Sequence, residues 1–212
     1  MAVPLLLAAL LAGCSSGDWS EPHPAPTAVG ELGDGFLPTD PPSPEATIDP
    51  AAGSWEAVHP TPGMRVVLLR SGAEPEVTVL ADAVHAWADD ESADLREIEI
   101  DADDHPIDRI VEALDLHPDL IVSVGNDVVD PLAAVTPSHL DQLFLVVGAE
   151  LAEPTENVTS VDWTGAAFRG EGLGASSEYD PASFTPERSA DAVRAGMAAV
   201  LHGETGIVVW ID

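Results

Sequence analysis

The chain has 212 residues, with 38 acidic side chains against seven basic ones and a net charge of −31. All seven cations are arginine. The lack of lysine excludes a Walker-type phosphate loop, Schiff-base chemistry and the usual aspartyl-phosphate receiver. Nucleic acid is excluded as a partner by the same shortage, because binding it requires Lys and Arg to neutralise phosphates.

Residues 3–12 form an apolar run that is too short to cross ~30 Å of hydrocarbon as a helix and has the length of a signal-peptide core. The run ends in Leu11-Ala12-Gly13-Cys14, which resembles the bacterial lipobox, so residues 1–14 read as a lipoprotein signal ending in the single cysteine. The expectation is a lipid-modified Cys14 holding the chain on the outer face of the bacterial plasma membrane, with two or more acyl chains providing stable attachment. Residues 15–63 are rich in Pro, Gly and acids, with Trp19, Phe36 and Trp55 as their only aromatics. Such a composition predicts a disordered tether of polyproline character.

The domain is expected over residues 64–212. Residues 65–69 (RVVLL) read as the first strand, followed by a turn at Arg70-Ser71-Gly72. A helix is expected over 75–90, with Val77, Leu80, Val84 and Trp87 on one face. Residues 96–100 alternate as a half-exposed edge strand does, and Pro106 opens a helix whose stripe would be Ile107, Ile110, Val111 and Leu114. Residues 120–124 are almost continuously apolar and end at Gly125, the pattern of a strand buried on both faces. A short helix over 132–135, a strand over 143–147 and an alternating strand carrying Thr159, Val161 and Trp163 follow. Thr185-Pro186 caps a helix that ends at Gly203, and residues 207–211 close the chain as a buried strand. Strands alternating with helices give an α/β three-layer, doubly wound, mainly parallel sheet. Its expected order starts 2-1-3-4, with the last two strands beyond strand 4.

Ligands of such sheets sit beyond the carboxyl ends of the strands, at the switch point of strand order. Arg70, Ser71, Asn126 and Asp127 therefore form the candidate ligand-binding rim, with Asp101, Asp103, Asp104 and Glu150 nearby. With Arg70 alone among so many acids, a neutral hydroxylated or cationic small molecule is favoured over an anion. The 101–105 run (DADDH) lacks the glycine and distal Glu of a calcium loop, and acids ahead of a helix are expected from its dipole. No nucleophile elbow, zinc-protease spacing, cofactor motif or other catalytic constellation is found, so no enzyme, metal or cofactor is expected.

Three segments carry a resemblance: HPDLIVSVGNDVVDPLAAV (residues 117–135), TPSHLDQLFLVVG (136–148) and ENVTSVDWTGAAFRGEGLGA (156–175). Together they resemble the basic membrane protein family, lipoprotein substrate-binding components of ABC transporters with a type 1 periplasmic-binding fold. AVRAGMAAVLHGETGIVVWI (192–211) is similar in style to that family's closing helix and strand. The resemblance implies a single solute-binding lobe working beside an ABC transporter permease. One lobe's worth of sequence is present. SGAEPEV (71–77) stands where the family has a nucleoside-contacting Asp-x-x-Phe-Asn stretch, so only Asn126 and Asp127 carry over. The alternative is a tethered interaction or scaffold domain that keeps the fold without the ligand.

Overall fold

The computed structural model describes residues 18–166 and 168–211. The lipobox and Cys14 lie outside them. Six parallel strands form the body of the sheet: β4 (Arg65–Ser71), β5 (Asp94–Ile100), β6 (Leu120–Val124), β7 (Phe144–Val147), β8 (Val158–Asp162) and β9 (Val208–Trp210). Their order across the sheet is β9-β8-β7-β6-β4-β5, the doubly wound arrangement expected. Strands β6, β7 and β8 are buried at every residue, as covering by helices on both faces requires. The fifth domain strand, β8, is therefore not half-exposed, although its sequence alternates. Thr159 and Ser160 are small enough to pack within a layer.

Helices α1 (Pro75–Glu91) and α4 (Pro186–Leu201) cover one face. There Val77, Leu80, Val84 and Trp87 of α1 meet Val66, Leu68 and Val122 of the sheet. Helices α2 (Pro106–Asp115) and α3 (Val129–Val135) cover the other, where Ile110, Val129 and Leu132 meet Val67, Leu69 and Ile121. Within α2 the buried positions are Ile110 and Ala113, whereas Ile107 and Val111 are exposed. The predicted stripe is therefore rotated by part of a turn. Small Ala113 lets α2 approach the sheet closely.

The crossovers through α1, α2 and α3 share one hand. The β8–α4–β9 connection advances across the sheet in the same direction as β6–α3–β7, yet α4 lies on the α1 face. It therefore has the opposite hand, which is rare for parallel neighbours. The 163–185 segment leads from the carboxyl end of β8 to the α1 side.

The expected tether is corrected by the structure over its described part, 18–63, and with it the domain start at 64. This segment lies along the domain as a strap. β1 (Ala28–Val29) pairs antiparallel with β3 (His59–Pro60), and β2 (Thr47–Ile48) adds a seventh, parallel strand beside β9. Trp19, Phe36, Ile48, Trp55 and Val58 are all buried. Burying such side chains contributes roughly 2 kcal/mol each, while the prolines reduce the entropy lost on docking. The apolar residues are too irregularly spaced to show a helix or strand period, so composition alone hides them.

The strap's first residues are fixed at the amino ends of the strands. The Arg65 guanidinium donates to the carbonyls of Asp18, Trp19 and Glu21 at 3.0–3.2 Å. The Trp19 indole N–H donates to Asp94 at 2.7 Å, and His23 pairs with Asp119 at 3.1 Å. Further along, His59 meets Glu91 at 2.9 Å.

Candidate functional site

Three strand ends open onto one cavity. β4 ends at Ser71, while β6 and β7 run into Gly125 and Gly148, with φ of +99° and +79°. Glycine is needed at both for the left-handed turn and for the close approach it permits. A Cβ on Gly125 would stand 2.6 Å from the Ser71 carbonyl oxygen, and one on Gly148 would stand 2.9 Å from Leu80. The space left has a volume of about 220 Å³, with Val77 and Leu80 as floor and Ser71, Asn126, Asp127, Glu74 and Glu76 around it. Tyr179 and Phe184 close the remaining side.

The aromatic wall comes from the 163–185 segment. Its unusual hand brings Tyr179 and Phe184 over the first turn of α1 instead of leaving them on the α2 side. The Tyr179 hydroxyl donates to Glu76 Oε1 at 2.6 Å. That bond holds the Glu76 carboxyl below its ordinary range, and burial followed by the same bond pushes the Tyr179 phenol well above its own. Phe184 stands edge-on to Trp163 at 5.0 Å, and the Trp163 N–H donates to Ser183 at 3.0 Å. Trp163 is fully buried, so the wall has a rigid base.

Ser71, Asn126 and Asp127 thus come together as the strand-end rule predicts, with Ser71 Oγ 3.4 Å from Asp127 Oδ2. Arg70 does not join them. It belongs to the last part of β4 and not to a turn, and its side chain reaches toward Glu97 (3.7 Å) and Thr78 (3.4 Å). Arg70 faces α1 as Val66 and Leu68 do, but its guanidinium is drawn sideways over the β5 edge and so stays outside the cavity. The lining consequently has three carboxylates and no arginine.

A shallower depression of about 520 Å³ adjoins the cavity, sharing Ser71, Glu74 and Asp127 with it and extending to Glu99, Asp101 and Asp104. Asp104 is engaged locally: it accepts from the Asp101 amide at 3.0 Å and pairs with Arg109 at 3.2 Å. Among the described residues, no group of three or more His, Cys, Asp or Glu side chains is placed to hold a metal. Glu150 is buried beside Arg169, 2.7 Å away, and burial raises its carboxyl more than Arg169 lowers it. It does not line the cavity.

The glycine hinges were legible in the sequence only at Gly125. Tyr179, Phe184 and Gly148 line the cavity with little sequence signal for it, because the segment bearing the two aromatics lacks periodicity. The Tyr179-to-Thr185 stretch, with two aromatics ahead of a clear helix start, was the available signal.

No protein-family model and no curated protein matches the chain. Partial likenesses exist among solved structures. An ABC transporter solute-binding protein from Aeropyrum pernix is 21% identical over 47% of this chain and 28% of that one, with a TM-score of 0.40. A periplasmic ribose ABC transporter from Conexibacter woesei is 17% identical over 71% and 54%, with a TM-score of 0.36. A transcriptional activator of the comK gene from Bacillus halodurans is 16% identical over 70% and 53%, with a TM-score of 0.41. The matched region spans about half or less of each of these proteins. They include transport proteins and a transcriptional activator, and all the TM-scores are below 0.5, so none fixes a ligand or an activity here.

Proposed function

We propose that this chain is a lipid-anchored extracytoplasmic protein whose single lobe binds a small neutral hydroxylated or cationic solute in the rim cavity. The observation that carries the reading is the cavity lining. Asp127, Glu74 and Glu76 surround an apolar floor and an aromatic wall, with Asn126 and Ser71 as hydrogen-bonding groups and no cation to receive an anion. Ligand sites commonly combine an apolar surface with a few convergent polar groups, and range from ~300 to 1,000 Å³. At about 220 Å³ the cavity takes only a small molecule, or covers one side of a larger one. The resemblance of residues 117–175 to lipoprotein substrate-binding components supports a place beside an ABC transporter permease. The lipobox ending in Cys14 supports the anchor.

The small cavity volume also supports a second reading, a tethered interaction domain that retains the fold without a solute. A thermal-shift screen with nucleosides, sugars and small amines separates the two. A ligand at 100 times its Kd adds ~2.7 kcal/mol of stability. A hit whose shift disappears in Asp127→Ala supports the cavity; an unchanged shift places the site elsewhere. No hit across neutral and cationic classes favours the interaction domain. For the anchor, Cys14→Ser should move the protein from the membrane to the soluble fraction, and normal processing and membrane attachment of that variant would contradict it.

A further inference from the structure

We propose that the docked strap orients the domain on the membrane, with the amino ends of its strands toward the bilayer and the rim cavity away from it. This rests on the anchor at Cys14 proposed above. Only residues 15–17 separate Cys14 from Asp18, whose carbonyl already accepts from Arg65. Four residue steps reach at most ~14 Å. Arg65 opens β4, and Ser71 at its other end lines the cavity. Seven strand residues rise by roughly 20 Å. The anchor therefore grips the domain at the end opposite its cavity.

The grip involves several contacts. Trp19 is 94% buried, its indole N–H bonded to Asp94 and its ring under Arg96 at 4.2 Å, while His23 holds Asp119 just ahead of β6. All of these partners lie at or near the strands' amino ends. Charge acts in the same direction. A chain with a net charge of −31 is repelled by anionic lipid over a screening length of ~8 Å at physiological salt. Repulsion keeps the domain standing at the end of its short attachment and opposes its lying on the surface. The cavity then opens to solutes arriving from outside, and a permease in the same bilayer meets it only after the strap lets go or the domain turns over.

The absence of lysine makes the orientation measurable. Asp141→Lys, in the exposed loop beside Asp119 and Pro118, and Ala102→Lys, in the exposed loop after β5, each introduce the sole side-chain amine. The chain from Cys14 onward, with its α-amino group acetylated, is coupled through the Cys14 thiol to maleimide lipid. The vesicles are mixed phosphatidylcholine and phosphatidylglycerol. An amine-reactive donor dye is then read against an acceptor dye on the lipid headgroups. Energy transfer should be severalfold stronger from the Asp141→Lys variant than from the Ala102→Lys variant, and adding Trp19→Ala should shrink that ratio. Equal or reversed transfer in the first pair overturns the orientation. Because the attachment is imposed chemically, failure of lipidation in cells would remove the natural anchor without altering this measurement.

Discussion

The guanidinium of Arg96 lies 4.2 Å from the centroid of the Trp19 ring, joining the third residue of an edge strand to the start of the strap. A cation over an aromatic face contributes about 0.5–2 kcal/mol, more when water is excluded. Here the indole also fills a site against the α2 face and satisfies Asp94. Trp19→Ala is expected to destabilise the protein by about 3 kcal/mol, the usual cost of truncating a buried Trp. Urea unfolding of the full strap-bearing chain checks this, and an unchanged midpoint would mean that residue 19 is not docked.

Removal of the whole strap should be worse. A fragment beginning at Met64 bares the β9 edge and the apolar surface beneath Phe36, Ile48 and Trp55. Unpaired, apolar strand edges recruit other chains. The 64–211 fragment is expected to aggregate or to melt well below the 18–211 chain, and limited proteolysis of the latter should leave a core that begins near residue 18. A stable, monomeric 64–211 fragment would refute the packed strap.

Gly125→Ala tests the cavity's construction. The added methyl would face the Ser71 carbonyl oxygen at 2.6 Å, from a backbone at φ +99°. Strain of this kind costs about 1–3 kcal/mol. Since relief requires the ends of β4 and β6 to part, the variant should lose both stability and any solute-induced thermal shift. Retention of the full shift would separate the ligand from this rim.

Glu150 supplies a pH test. Burial holds its carboxyl above the ordinary range despite Arg169. A carboxyl raised by folding favours the folded state most below its unfolded pKa, and that advantage is lost as pH rises through the higher folded value. Glu150→Gln keeps the shape and removes the charge. Its melting temperature relative to the parent should therefore rise as the pH is taken upward from the ordinary glutamate value of 4.5 through the raised folded one. A flat difference over that span would show that Arg169 fully offsets the burial.

The body of the fold was legible because its signals are periodic. The α1 face of Val77, Leu80, Val84 and Trp87 and the apolar run of β6 each name their own partner surface, and right-handed crossovers then order the first strands. Strand-end logic also places Ser71, Asn126 and Asp127 beside one cavity, where their part in binding is the proposal made above. It failed for Arg70 because the strand continues two residues past the apolar run and turns that side chain toward Glu97. Tyr179 and Phe184 were missed because the hand of one crossover decides where they fall, and that hand is not encoded in any local pattern. The strap was missed for another reason. Its stability comes from single residues such as Trp19 and Phe36 entering grooves made by distant elements, and a composition rich in proline reports only that no core forms locally.

The pairing of Thr47 with Val208 and Ile48 with Val209 sets the order in which the molecule can be completed. The partners stand roughly 160 residues apart, and closing so long a loop costs about 4–5 kcal/mol of chain entropy before any contact is gained. Contacts of such long range form slowly. A chain emerging from its amino end presents β2 long before the strand that receives it. The Trp19 end can dock as soon as β4, β5 and the start of β6 are made, but Ile48 has nothing to lie against until β9 follows, so the middle of the strap is fastened later than its ends.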